Sequence, residues 1–386
     1  MRIGITCYPS AGGSGIVASE LGMKLAERGH HVHFISSEPP FRLNTYMENV
    51  FYHPITVTNY PLFKSPPYTL PLAVKMAEIS KNYDLDLLHV HYAIPHAASA
   101  FLAREILAKE EKVPKIITTL HGTDITLVGA DASFFDITKF SINRSDGVTA
   151  VSAYLADETV REFGITRDIK VIHNFFDPTR FKPVTTTCAK SQFAKEDEFL
   201  IVHLSNFRPV KRVPDVIDIF ARIKESLPAK LLLIGEGPDT TLVRRLVRRK
   251  GLEDSVIFLG AQVRVEDILP CGDVFLLPSQ EESFGLSALE AMACGVPLVG
   301  SLGSGISEVT EDGVTGLLHP VGATDAMADS AIALLRDTER HLSFKKASIA
   351  RATGRFLDAD IVTEYECYYE CVLERCKKSV ASVTGQ

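Results

Sequence analysis

The chain has 386 residues, enough for two domains with a core each. It carries 41 basic and 48 acidic side chains, a net charge of -7, and no basic block stands out, which argues against a nucleic-acid partner. No apolar run approaches the ~20 residues of a membrane span, and residues 2–6 enter a strand without a leader-like segment, so a soluble cytoplasmic protein with no membrane partner is expected.

Strand and helix signals alternate along the first half. Residues 2–6 read as a strand, 15–28 as an amphipathic helix stopped by Gly29, and 31–36 as the next strand. Residues 39–68 are irregular and rich in Pro and aromatics, with short strand runs near Phe51 and Ile55. A helix is expected over 68–83, a strand over 87–91, and a helix over 95–110 with Pro95 in its first turn. Strands follow at 115–119, 147–151 and 170–173, with Ser152 placed to cap a helix. Residues 177–197, with Pro178, Pro183 and three consecutive Thr, read as a linker.

The alternation then restarts. Strands are expected at 199–204, 229–234, 256–259, 274–277 and 298–300, and helices at 214–227, 239–250 and, briefly, 265–269. From Thr324 onward the chain reads as helical, with a break near Gly354. Two βαβ runs joined by a linker imply an α/β protein of two doubly wound parallel-sheet (Rossmann-like) domains. Ligands bind such sheets at the carboxyl ends of the strands, so a cleft between two facing domains is the economical expectation.

Seven cysteines, an odd number, occur without a C-x-x-C pair, which favours reduced thiols. Cys367 and Cys371 share a helix face; buried free thiols are expected there rather than a metal site.

The motifs lie mostly after strands. Pro278-Ser279-Gln280-Glu281-Glu282-Ser283-Phe284-Gly285 follows an apolar strand and opens a helix that should end at Cys294-Gly295. Glu282 and Glu290 stand in E-x7-E spacing, with carboxylates on the order of 12 Å apart at most. That exceeds the roughly 5–9.5 Å of glycosidase carboxylate pairs. Two readings stay open: two grips on one elongated ligand flanking a helix N-terminus, or a loop cap and a solvated helix residue.

Gly12-Gly13-Ser14-Gly15 follows the first strand. Gly13-x-Gly15-x-x-Ala18 fits a dinucleotide fingerprint, a close approach to another ligand, or a tight turn. His121-Gly122-Thr123-Asp124 places a His at a strand end, with Asp124 either orienting it or capping a helix. Asn206-Phe207-Arg208-Pro209-Val210-Lys211-Arg212 concentrates three cations at a helix start, against the helix dipole, which suits a leaving diphosphate better than the alternative of a solvated charge cluster. No P-loop and no G-x-S-x-G elbow occur. Asp84-x-Asp86 precedes a strand and reads as a solvated loop, so neither a metal nor a cofactor is expected.

Glu282-x7-Glu290 within Pro-Ser-x-x-Glu-Ser-Phe-Gly, followed by Glu-Ala-Met-Ala-Cys-Gly-Val-Pro, resembles the retaining glycosyltransferases of family 4 with the GT-B fold. The resemblance covers nearly the whole chain. Residues 3–10, 12–15, 25–30, 89–96, 118–125 and 205–212 are similar to the branch that joins N-acetylglucosamine from UDP-N-acetylglucosamine to L-malate, the opening step of bacillithiol synthesis. The resemblance implies UDP-N-acetylglucosamine and L-malate as partners and is compatible with a homo-oligomer. It implies an acceptor domain over 1–180, a nucleotide-sugar domain over 181–360, and a C-terminal helix over 361–386 packing back on the first domain.

The same resemblance implies residue roles. His121, Lys211 and Glu282 would be catalytic. Gly13, Lys211, Glu282, Phe284, Gly285, Leu286 and Glu290 would hold the sugar donor, with Glu290 on the ribose and Lys211 on the diphosphate. Ser14, Tyr92, Thr119, Asn174 and Arg208 would contact malate. Two departures matter. Ser205-Asn206 stands where most relatives have Gly-Arg, which moves the Arg to 208 and favours an acceptor role for it. Ser304 stands where many have Gly, which adds a side chain to a phosphate-side turn. Other readings fit parts of the pattern: a family 4 glycosyltransferase with a different small acceptor, a UDP-N-acetylglucosamine 2-epimerase, an NAD-dependent oxidoreductase built on the Gly13 turn, and a silent sugar-nucleotide sensor.

Overall fold

The computed structural model describes residues 1–9, 12–43, 46–56, 67–183 and 189–383. The chain divides into two compact units: Met1–Asn174 together with the segment from Asp358, and Phe175–Leu357. The expected linker began at 177, a little beyond the observed crossing; residues 184–188 of it lie outside the described residues. The crossing falls before Phe175 because Phe175 and Phe176 are both buried in the second unit, where the Phe176 N–H donates to the Phe356 carbonyl at 3.1 Å.

The first unit contains β1 (Arg2–Thr6), α1 (Gly13–Glu27), β2 (His31–Ser36), β3 (Val50–Pro54), α2 (Thr69–Tyr83), β4 (Leu87–His91), α3 (Ala98–Ile106), β5 (Lys115–Leu120), α4 (Phe135–Arg144), β6 (Gly147–Ala150), α5 (Ala153–Phe163) and β7 (Lys170–Val171). Its seven strands are parallel in the order β3-β2-β1-β4-β5-β6-β7. Strand alternation gives the sheet two different faces. Leu88, Val90 and Ile116 join an apolar cluster with α2 and α3 residues such as Met76 and Ala100. His89, His91, Thr119 and Thr149 occupy the other face, all with no exposed surface.

The second unit contains β8 (Phe199–Leu204), α6 (Val213–Ser226), β9 (Ala229–Ile234), α7 (Thr240–Arg249), β10 (Val256–Gly260), β11 (Val274–Leu277), α8 (Leu286–Ala293), β12 (Leu298–Ser301), α9 (Ile306–Val309), β13 (Gly316–His319), α10 (Thr324–Arg336) and α11 (Thr338–Arg355). The sheet order is β10-β9-β8-β11-β12-β13, again parallel. Strand residues Ile201, Leu231, Val274 and Val299 pack with Phe220 of α6 and Met327 of α10 in one core. Each such fully buried side chain contributes about 1.5–3 kcal/mol.

The final helix, α12 (Asp358–Val383), returns to the first unit. Tyr369 Oη bonds His89 Nδ1 at 2.8 Å, Tyr368 Oη accepts from the Val148 N–H at 2.9 Å, and Lys24 pairs with Asp358 at 2.9 Å.

Several elements differ from their sequence expectation. The helix expected over 95–110 is a wide turn at Ala93–Ala97 followed by α3, because Ile94 before Pro95 is extended (φ -131°, ψ 140°). The helix α4 was not anticipated: its buried residues are Thr138, Ser141 and Ile142, which leave almost no apolar stripe to read. Strand β13 was also missed, being four residues long between turns. The short helix at 265–269 is two 3-10 turns, Val265–Asp267 and Leu269–Cys271. The C-terminal helical stretch breaks after Arg355, next to the expected Gly354, and also at Asp337, a break that was not expected, where the Asp337 side chain accepts from the Arg340 N–H at 3.0 Å.

Cysteine usage also departs from expectation. Cys7 and Cys294 are buried free thiols, and Cys367 and Cys371 are free but not buried. Cys271 is disulfide-bonded and not a reduced thiol. No described helix is long and apolar enough to cross a membrane.

Candidate active site

In each parallel sheet the strand order reverses at one point, and chemistry gathers there. In the second unit the reversal lies between β8 and β11, so the loops after these strands meet at their carboxyl ends. The Gln280 N–H donates to the Val210 carbonyl at 2.8 Å and stitches the two loops together. Lys211 Nζ, at the end of a 3-10 turn (Pro209–Lys211), donates to Glu282 Oε1 at 2.7 Å. Ser279 Oγ donates to the same oxygen at 2.7 Å. Both members of the ion pair are largely buried, with side chains 20% and 10% exposed. The ammonium has three protons, so the bond to Glu282 leaves two for a ligand.

The same loop is held from its other side. The Gly305 N–H donates to the Glu282 carbonyl at 2.8 Å, and Ser304 Oγ accepts from the Glu282 N–H at 3.1 Å. Gly285 (φ 95°) precedes α8, whose first turn has no acidic residue. Its first N–H groups have no intrahelical acceptor, an arrangement that suits an anion. Glu290 is buried within α8. Beneath the loop after β8, His203 Nδ1 donates to the Leu276 carbonyl at 2.8 Å and its Nε2 accepts from Ser205 Oγ at 2.8 Å. Burial pushes the His203 pKa down to about 4, so the ring is a neutral brace.

In the first unit the reversal lies between β1 and β4. Ser14 Oγ, in the first turn of α1, donates to Tyr92 Oη at 2.9 Å just beyond β4. Tyr92 has φ 89°, a region a bulky L-residue rarely occupies, and such strain collects at functional sites. The Tyr92 ring lies 5.3 Å from that of His121, centroid to centroid. His121 Nε2 lies 2.8 Å from His91 Nδ1. His121 keeps part of its surface accessible, yet burial and neighbouring His96 push its pKa down to about 3. Burial pushes His91 well below the ordinary histidine range, so both rings are neutral at physiological pH.

The two Rossmann-like sheets now have matches among known proteins. Residues 11–180 match the model described as Glycosyltransferase Family 4, and residues 185–351 the model described as Glycosyl transferases group 1. The chain is 48% identical, over 97% of its own length and 97% of the relative's, to the N-acetyl-alpha-D-glucosaminyl L-malate synthase of Bacillus anthracis. The chain belongs to glycosyltransferase family 4. Two solved structures share its fold. They are sucrose-phosphate synthase from Thermosynechococcus elongatus (TM-score 0.80, 22% identity, 97% of this chain and 100% of that one) and Anabaena Alr3699/HepE in complex with UDP and glucose (TM-score 0.77, 21% identity, 99% and 100%). The fold is therefore GT-B.

Within this glycosyltransferase the expected residues are distributed as follows. Lys211, Glu282, Phe284, Gly285 and Leu286 gather on the loops and helix after β8 and β11. Arg208 caps the 3-10 turn beside them, is exposed, and forms no ion pair with any described residue. Arg212, the third expected cation, is committed elsewhere: it pairs with Asp215 at 2.6 Å in the first turn of α6. Gly13, Ser14, Tyr92 and His121 gather at the β1–β4 edge, where Gly13 is exposed. Ser10 and Ala11 of that loop lie outside the described residues.

Thr119 and Asn174 are placed differently. Thr119 has no exposed surface, and its Oγ1 bonds His89 Nε2 at 2.7 Å and Thr149 Oγ1 at 2.7 Å. As it stands, Thr119 braces the sheet beneath the site and does not present its hydroxyl. Asn174 follows β7, three strands along the sheet from β4, and its buried Oδ1 has no partner among the described residues. Asp124 caps backbone: it accepts from the N–H groups of Ala93 (2.9 Å), Gly122 (3.0 Å) and His121 (3.2 Å). Burial, partly offset by these bonds, raises its pKa to about 6. Asp84 and Asp86 likewise serve structure, pairing with Arg2 and Lys112.

Three contributors were not anticipated. Ser279 sits three residues before Glu282, a spacing visible in the motif itself. Ser304, expected to crowd a tight turn, instead accepts a backbone N–H with φ 56°. His91 is two residues from His89 on one strand face, and its partnership with His121 required the β4–β5 register that pairs His91 with Thr119.

Proposed function

We propose that this glycosyltransferase moves N-acetylglucosamine from UDP-N-acetylglucosamine to the hydroxyl of L-malate, with retention and without a metal, as the first step of bacillithiol biosynthesis. The observation that carries the reading is near-half identity to a malate synthase of that name across both units, so acceptor and sugar-donor halves are covered together. Lys211 and the amides opening α8 take the diphosphate, Glu290 the ribose hydroxyls, and Glu282 the sugar. Arg208 is a free guanidinium suited to a carboxylate of malate, and Ser14 and Tyr92 supply neutral hydroxyls. Thr119 acts from below, and Asn174 offers an open amide.

In the reaction the bond from the anomeric carbon to the phosphate oxygen breaks and the bond to the malate hydroxyl oxygen forms on the same face. The hydroxyl proton passes to the departing phosphate. Lys211 and the α8 terminus stabilise the charge that grows there. Glu282, already bonded by Lys211 and Ser279, serves as a grip and not as a nucleophile.

UDP release from UDP-N-acetylglucosamine, with and without L-malate, tests the proposal. Malate should accelerate release and yield a single α-linked product. Release independent of malate, with a free sugar product, would favour an epimerase-like reaction instead. Arg208→Ala should raise the KM for malate about 10–100-fold, the loss of one charged hydrogen bond, and move the sugar-donor KM less. The reverse pattern would take Arg208 out of the acceptor site.

A further inference from the structure

His91 has no assigned part in the chemistry, yet it makes the one protein contact to the His121 ring nitrogens among the described residues. A contact between His91 Nδ1 and His121 Nε2 at 2.8 Å requires one nitrogen to carry the proton and the other to be bare. Two neutral arrangements satisfy this. If His121 Nε2–H donates, His91 must carry its own proton on Nε2. That atom is buried and has no hydrogen-bond partner, so an N–H donor would be orphaned in the protein. If His91 Nδ1–H donates, the orphaned Nε2 is only a bare acceptor. Buried N–H groups without partners are rarer and costlier than under-satisfied acceptors, so the second arrangement wins.

A neighbour shows the same choice. His96 Nδ1 must donate to the His91 carbonyl at 2.5 Å, since a carbonyl can only accept, and its buried Nε2 is likewise bare and unpartnered. Burial pushes His96 down to about 4, and with His91 and His121 also held neutral, no imidazolium interrupts the series.

We infer that His91 is a positioning residue that locks His121 in the Nδ1–H tautomer, so that His121 meets the substrate as a neutral hydrogen-bond donor through Nδ1. His121 Nδ1 has no protein partner among the described residues, so its proton is available. The inference rests on the proposed placement of His121 beside the transferred sugar. A neutral donor there steadies a sugar hydroxyl or phosphate oxygen without adding a charge that would have to be neutralised again.

The test uses the full chain labelled with 15N-histidine. Two-bond ring correlations distinguish protonated from bare imidazole nitrogens, and the His121 signals are assigned by their loss in His121→Gln. In the wild type, His121 Nδ1 should be protonated and Nε2 bare. His91→Asn keeps an amide donor near the Nδ1 position and should retain that pattern and most of the rate. His91→Leu removes the donor; it should shift the His121 proton toward Nε2 and lower kcat about 10–100-fold, as loss of an outer hydrogen-bond partner commonly does, with the sugar-donor KM little changed. A protonated His121 Nε2 in the wild type overturns the lock. So does a His91→Leu enzyme indistinguishable from His91→Asn in turnover. The wild-type spectrum needs no activity, so a failure of the malate reaction would count against the proposed function and leave the tautomer separately decided.

Discussion

Lys211→Ala lowers kcat for UDP release by about 10²–10³, the usual loss when one preorganised charge donor is taken from a developing oxyanion. The ammonium is fixed before substrate arrives, because Glu282 Oε1 holds it at 2.7 Å and Ser279 holds the carboxylate. The same substitution affects folding. It leaves the Glu282 carboxylate, only 10% exposed in its side chain, without its cation. Complete loss of a partner from a buried pair costs about 3–5 kcal/mol; partial exposure and the Ser279 bond bring the expectation to about 1–3 kcal/mol. Urea unfolding reads that term, and single-turnover UDP release reads the catalytic one. Adding Glu282→Gln to Lys211→Ala should recover stability but not rate. A Lys211→Ala enzyme turning over like the wild type would remove Lys211 from the leaving group.

Gly305→Ala weakens UDP-N-acetylglucosamine binding by about 100-fold, though residue 305 carries no side chain to touch a ligand. A Cβ there would stand 2.2 Å from the Ser283 oxygen, 2.5 Å from its carbonyl carbon and 2.8 Å from the Phe284 nitrogen. All three are backbone atoms of the loop that opens α8, so no rotamer can give way. The backbone of Gly305 is helical (φ -63°, ψ -15°), which alanine adopts freely, so the effect is steric and not conformational. The loop must move, and its bond from the Gly305 N–H to the Glu282 carbonyl goes with it. Overpacking of this kind costs about 1–3 kcal/mol in stability. Gly313→Ala is the matching control: at φ 74° it is strained, but nothing lies within 4 Å of the added carbon. It should lose about 1–2 kcal/mol of stability and bind the sugar nucleotide normally. Calorimetric titration with the sugar nucleotide separates the two, and equal affinities would show that the Ser283–Phe284 backbone is not a rigid part of the site.

The strands were legible because both sheets bury them on two faces. Runs such as Val274-Phe275-Leu276-Leu277 are apolar throughout, and the glycines and polar residues that follow mark where each strand ends. Helix α4 was not legible, since it buries Thr138 and Ser141 through hydroxyl bonds to the Phe134 and Ile137 carbonyls instead of through an apolar stripe. On the site, E-x7-E spacing left two grips on an elongated ligand as one of two readings and the cations at 208–212 suited a leaving diphosphate, while similarity to relatives supplied the roles. The sequence did not distinguish Lys211 and Arg208 from Arg212, three cations within five residues. The fold does: Arg212 pairs with Asp215 in the first turn of α6, Lys211 pairs with Glu282 of the loop after β11, and Arg208 forms no ion pair with any described residue.

What the sequence by itself determined is local: the alternation of strands and helices, the glycine turns at strand ends, and the chemistry available at each turn. These follow from periodicity and backbone sterics over a few residues. What only the tertiary structure decided is pairing across the sheets. Strand order brings the loops after β8 and β11 together, so that Lys211 meets Glu282 across 71 residues, and the β4–β5 register brings His91 to His121. No local pattern records such partners, because a hydrogen bond between side chains depends on which strands lie side by side, and that is settled by burying both faces of each sheet at once.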